Sequence, residues 1–168
     1  MKKLILFLIT TVTLISINVN AQDEPKELFE KSWISEDSTE KRILREKIIE
    51  LYPDSEYGMF CKGWFKTEKS EYEDAIVYFD DAIKLNNEFW QAYYHRGNSY
   101  GVLKEYSKAI SDISKALELN PGYSEGYFVR GATYIMGVGN KEKGCEDWQK
   151  AFSLGYEKAG QYIEKFCK

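Results

Sequence analysis

Three glycines, Gly63, Gly97 and Gly131, stand 34 residues apart, and their neighbours keep the same interval. Phe60, Tyr94 and Phe128 repeat on it, as do Tyr72 and Tyr106, Ala75 and Ala109, Ala82 and Ala116, and Leu85 and Leu119. Self-similarity at this period restricts the chain to stacked copies of one small unit, each able to bury its apolar face only against a neighbour. Within each copy the apolar residues fall at helical spacing. The pattern predicts paired helices over 55–68 and 72–85, over 88–102 and 106–119, and over 123–136 and 141–154, with no strand. Asn86-Asn87, Asn120-Pro121-Gly122 and residues 137–140 supply the turn and stop signals between them.

The segments EYEDAIVYFDDAIKLNNE and EYSKAISDISKALELNPG, with AYYHRGNSY and GYFVRGATY upstream, closely resemble the tetratricopeptide repeat pattern. With the three glycines at repeat position 8, small residues recur at position 20 (Ala75, Ala109, Gly144) and position 27 (Ala82, Ala116, Ala151). Bulky residues fill position 24: Phe79, Ile113 and Trp148. Antiparallel helices approach closely only where side chains are small, with large neighbours filling the space on either side. The resemblance covers about residues 24–168 and implies an all-α helical solenoid. Its expected parts are a degenerate N-terminal half-repeat over 22–54, repeats over 55–88, 89–122 and 123–155, and a capping helix over 156–168. The third repeat carries one extra residue in IMGVGNKEKG, which is expected to lengthen the loop between its helices. In EKAGQYIEKFCK, Ala159, Tyr162, Ile163 and Phe166 are spaced to cover the last repeat, whereas Leu28, Phe29, Ile43, Leu44, Ile48, Ile49 and Leu51 suggest two irregular helices at the other end.

Residues 1–21, MKKLILFLITTVTLISINVNA, have two lysines, an uncharged apolar run and a Val19-x-Ala21 ending, the pattern of a cleaved export signal. A membrane anchor is the alternative. Cleavage takes the net charge from −4 to −6, leaves no membrane insertion, and points to a periplasmic or secreted protein. An acidic chain is poorly suited to nucleic acid, whose phosphates need clustered Lys and Arg.

Three cysteines in an exported chain leave one over. Cys145 and Cys167 lie eleven residues on either side of Tyr156. Two antiparallel helices joined there would set both at one height, about 16 Å from the turn. A disulfide can form across that pair; two reduced core thiols are the alternative. Cys61 has no such partner and is expected to be a part-buried thiol. At repeat position 7 stand Lys62, Arg96 and Arg130, and at position 23 Tyr78, Asp112 and Asp147. Acids face only the arginines, so Arg96–Asp112 and Arg130–Asp147 are candidate bridges between the helices of a repeat, with solvated charges as the alternative.

In the family, positions 2, 5, 9 and 12 of the first helix line the concave surface. Here the resemblance assigns that role to Tyr57, Phe60, Trp64 and Thr67, then Gln91, Tyr94, Asn98 and Gly101, then Glu125, Phe128, Ala132 and Ile135. The rings at position 5 are expected to form a recognition ladder, unless a tightly curled array packs them together or under the N-terminal helices. Asn98 is the best polar contact for a peptide backbone. The family's clamp for a terminal carboxylate uses Lys and Asn on the first repeat and basic residues on the third. Phe60 and Trp64, then Glu125 and Val129, stand at those places, so an apolar or basic peptide is the expected ligand rather than a chaperone tail.

One histidine, His95, excludes a two-histidine zinc site or an HExxH protease, and is expected at the surface or between repeats. Gly137, Gly139 and Gly144 follow a helix and precede no Gly-Lys-Ser/Thr, so they are no phosphate loop. No catalytic residue, metal site or cofactor is expected. The reading is a non-enzymatic scaffold that binds a peptide or a partner subunit of an envelope complex. The alternative is a glycan- or peptidoglycan-fragment-binding module stacking sugars on Phe60, Trp64, Tyr94 and Phe128.

Overall fold

Helix follows helix in antiparallel pairs, because each predicted pair joins two apolar stripes across a short polar turn. The computed structural model describes residues 24–168; the segment read as an export signal lies outside them. Among the described residues there are nine α-helices and no strand: α1 (Glu24–Ile34), α2 (Ser38–Leu51), α3 (Glu56–Glu68), α4 (Tyr72–Leu85), α5 (Trp90–Val102), α6 (Tyr106–Leu119), α7 (Ser124–Ala132), α8 (Lys141–Ser153) and α9 (Lys158–Phe166). None is long and apolar enough to cross a membrane. The side chains of Asp37, Ser55 and Asn140 cap α2, α3 and α8 by accepting from backbone N–H groups of the first turn. Helix α5 begins two residues later than expected, because Asn86 accepts from the Glu88 N–H and closes a turn ahead of it.

The repeat arithmetic is realised as packing. Phe79, Ile113 and Trp148 are completely buried, as are Ala75, Ala109, Ala82, Ala116 and Ala151. Helices α7 and α8 approach closely, so that a Cβ on Gly144 would lie 2.7 Å from the Gly131 carbonyl oxygen and one on Gly131 2.8 Å from that of Gly144. Neither backbone can yield to an added methyl, so both positions require glycine.

The extra residue of the third repeat does not lengthen a loop as the sequence suggested. It widens the end of α7 into a π-helical turn, Thr133–Gly137, closed by the Asn140 N–H donating to the Tyr134 carbonyl at 2.7 Å. Chain reversal then keeps its place in the unit: Ser70, Lys104 and Gly139 adopt the left-handed conformation, with φ of 61°, 63° and 72°.

Both ends of the stack are covered. At the C-terminus α9 lays Tyr162 and Phe166 on Trp148, whose indole N–H donates to the Phe128 carbonyl. A disulfide joins Cys145 to Cys167, with Cα atoms 5.7 Å apart. At the N-terminus α1 and α2 pair, and Phe29 of α1 drives into the first repeat with its ring centroid 5.1 Å from Phe60 and 5.2 Å from Phe89. Cys61 is not part-buried but sealed in this core, and burial pushes its thiol up to about 12.

Candidate functional site

The aromatic ladder is core. Phe60 is inaccessible to solvent and Tyr94 and Phe128 are buried. Phe60 sits under Phe29 and Trp33 of α1, Tyr94 against Tyr123, and Phe128 among Trp148, Tyr156 and Tyr162. The expected recognition surface at position 5 is therefore corrected: the end helices cover Phe60 and Phe128, the next repeat covers Tyr94, and the rings are spent on burial. The stacking platform imagined for sugars disappears with them. Trp64 is the fourth ring, and the Arg45 guanidinium covers it at 4.1 Å from the ring centroid.

Beside the sealed ladder a hollow of about 440 Å³ remains on the concave side. Repeat helices supply Trp64, Tyr94, His95, Asn98 and Glu125; Tyr123 joins from the turn before α7, and α1 and α2 contribute Trp33, Lys41 and Arg45. Of the residues expected to line a groove, Trp64, Tyr94, Asn98 and Glu125 meet here, with only the edge of Tyr94 exposed. Tyr57 packs on Phe29 and Phe89 instead, and burial raises its hydroxyl pKa to about 12. Gln91 is half-buried on α5 and does not line the hollow. Thr67 lies in a smaller recess of about 190 Å³ that shares His95 and Asn98.

The chemistry of the hollow is mixed. Asn98 and Glu125 are exposed, and Glu125 accepts from the Tyr123 hydroxyl at 2.8 Å. Burial, with Tyr94 and Glu125 nearby, raises the Tyr123 pKa and keeps that hydroxyl protonated. His95 stands between the rings of Trp33, Phe60, Phe79 and Tyr94, an inter-repeat position, and burial followed by the charge of Arg45 lowers its pKa to about 3. It is neutral. Arg45 is 3% exposed and lines the hollow, while its Nε and Nη1 are sealed from solvent and bonded to nothing. Lys41 makes no ion pair among the described residues. No group of three or more potential metal ligands occurs among them.

Sequence reasoning missed Trp33, Lys41 and Arg45, because the hollow is closed by a helix pair outside the clear repeats. The one available signal was Arg45 itself, a charge among Leu44, Ile48 and Ile49 on a helix expected to be buried.

The paired charges at position 7 do meet their acids. Arg96 donates through Nε and Nη2 to the two carboxylate oxygens of Asp112 at 2.7 and 2.8 Å, and Arg130 likewise to Asp147 at 2.8 and 2.7 Å. Each also reaches the preceding repeat, Arg96 to Asp80 at 2.6 Å and Arg130 to Ser114 at 2.9 Å. They fasten repeat to repeat as well as helix to helix.

A family model described as Tetratricopeptide repeat matches residues 90–123, the second unit. Known structures align over most of the chain. The first TPR of Spaghetti (RPAP3), bound to an HSP90 peptide, has a TM-score of 0.64 at 22% identity, covering 67% of this chain and 90% of that one. This chain carries the tetratricopeptide-repeat fold. MamA aligns with a TM-score of 0.60 at 24% identity over 83% of each chain. YrrB, described as a TPR protein with an unusual peptide-binding site, gives 0.62 at 19% identity over 85% of this chain and 69% of its own. No curated protein matches the sequence. In this fold α3 packs on α4, α5 on α6 and α7 on α8, and the family model covers the second of these pairs.

Proposed function

We propose that this protein is a non-enzymatic interaction module that receives a segment of a partner protein in the concave hollow. The observation that carries the reading is the hollow itself. It is a preformed recess of about 440 Å³ with aromatic walls and a few convergent polar groups, the composition of a recognition site. The fold supports it, since the Spaghetti repeat domain is bound to an HSP90 peptide and YrrB is described by its peptide-binding site.

We further propose that the protein works outside the cytoplasm, as part of an envelope complex or secreted. The opening apolar segment supports this, and so does the Cys145–Cys167 bridge, which suits an oxidising compartment. If so, mass spectrometry of the protein from its native cell should find Gln22 as the first residue. A chain still starting at Met1 would end the cleaved-signal reading in favour of the membrane anchor.

The docking reading is tested with a photo-crosslinking amino acid placed at Asn98, on the rim of the hollow, or at Val77, exposed on α4. One discrete partner should be captured from position 98 and lost from position 77. Capture from both, or only from 77, would place recognition elsewhere.

A further inference from the structure

Three arginines are buried or partly buried in this chain, and two of them are paired with acids. Arg96 makes three side-chain hydrogen bonds, all to carboxylates, and Arg130 three, two of them to a carboxylate and one to a hydroxyl. Arg45 is more deeply buried than either and makes none among the described residues. The Trp64 face at 4.1 Å offsets part of the cost of burying the charge, but a ring offers nothing to the N–H groups in the guanidinium plane. A buried, uncompensated cation is destabilising, and one that lines a cleft is a candidate for completion by a ligand.

The surroundings specify that ligand. Lys41 lines the same hollow and is also without an ion pair among the described residues. Nearby acids are engaged elsewhere: Glu68 pairs with Arg42 at 2.9 Å, and Glu125, across the hollow, holds the Tyr123 hydroxyl. His95 is neutral and adds no charge. Two free cations thus face one occupied acid, in a chain whose net charge is −4. Trp33 and Trp64 give the mixed lining two apolar faces, which an anion carried on an organic stem can use and a fully hydrated inorganic one cannot.

We propose that the hollow under α2 is a carboxylate receptor, with Arg45 as its principal donor and Lys41 and Asn98 beside it, so that the docked segment presents a carboxylate there. This deepens the docking reading above and rests on it. It also reverses the expectation of a basic peptide, because the cations come from α2 and not from the repeats. The family's clamp positions on the first repeat are occupied here by Phe60 and Trp64.

The test uses the whole protein, with the Arg45 Nε–H signal followed by NMR. Sodium acetate should shift that signal saturably, whereas sodium chloride at equal ionic strength should not. Three peptides of one apolar sequence then separate the sources of the carboxylate: one with a free C-terminus, one amidated, and one amidated with a central Glu. At least one carboxylate-bearing peptide should bind about tenfold or more tightly than the neutral one. Arg45→Met should erase that preference while leaving helix content and melting temperature at or above the parent's. An equal shift with chloride, meaning an adventitious ion only, overturns the proposal. So does equal binding of the three peptides, or a preference that survives Arg45→Met. Should Arg45→Met fail to fold, the acetate and chloride titrations of the parent protein decide. Partner capture at position 98 that persists in Arg45→Met sinks the carboxylate receptor and leaves the docking reading. Acetate binding with no capture there does the reverse.

Discussion

Arg96 and Lys62 occupy the same place in successive repeats and do different work. Lys62 donates to the Pro53 carbonyl from an exposed position, whereas Arg96 holds Asp112 through two bonds and Asp80 through a third. In urea unfolding, Arg96→Ala should therefore cost about 1–3 kcal/mol more than Lys62→Ala, since it leaves the largely buried Asp112 without its donor. His95 makes a second residue-scale prediction. Folded, it stays neutral down to about 3, while the unfolded chain takes up the proton near the ordinary 6.5. Stability present above pH 6.5 is then lost as the pH falls toward the folded value, with a slope of at most about 1.4 kcal/mol per pH unit. As His95 is the only histidine, the interval from about pH 6.5 to 5, above the ordinary carboxylate range, isolates it. His95→Gln should flatten the stability profile there. The pairing of Arg96 with Asp112 was legible in the sequence because position 23 is acidic only where position 7 is arginine. The reach to Asp80 was not, since it depends on the angle between successive repeats.

At the scale of the element, α9 is held by apolar contact and by one covalent tie. The bridge closes a loop of 22 residues, and in the chain-entropy picture such a tie contributes about 3 kcal/mol. Cys145→Ser with Cys167→Ser should lower the melting temperature and free the C-terminal helix to exchange its amide protons first. Thiol titration of the denatured, unreduced protein should find one reactive group, Cys61, rather than three. The reading of α9 from Ala159, Tyr162, Ile163 and Phe166 succeeded because an amphipathic stripe beside an uncovered repeat has one place to go. The π-helical turn at Thr133–Gly137 escaped notice for a physical reason: an added residue can be absorbed in a loop or in a helix end with the same count. Tyr106 packs on the end of that turn, where a Cβ on Gly137 would lie 2.6 Å from its ring.

Over the whole molecule, the N-terminal pair decides what the inner face can do. Phe29 and Trp33 of α1 seal Phe60, and α2 brings Arg45 onto Trp64. A chain lacking everything up to Ile34 should expose Phe60, Phe89 and Tyr57 and self-associate, seen as a concentration-dependent mass in light scattering. A monomer of unchanged stability would show that α1 contributes little to closure. What the sequence alone determined was the repeated unit. A 34-residue period with small and large residues alternating across helices admits one way of stacking, because those side chains meet their partners within a unit or in the next one. What only the tertiary structure decided was the fate of the inner face. Whether Phe60 and Phe128 greet solvent or a neighbouring helix depends on how the end segments fold back, and those contacts have no period to announce them. The same fold-back sets a lone, unpaired arginine at the edge of the hollow.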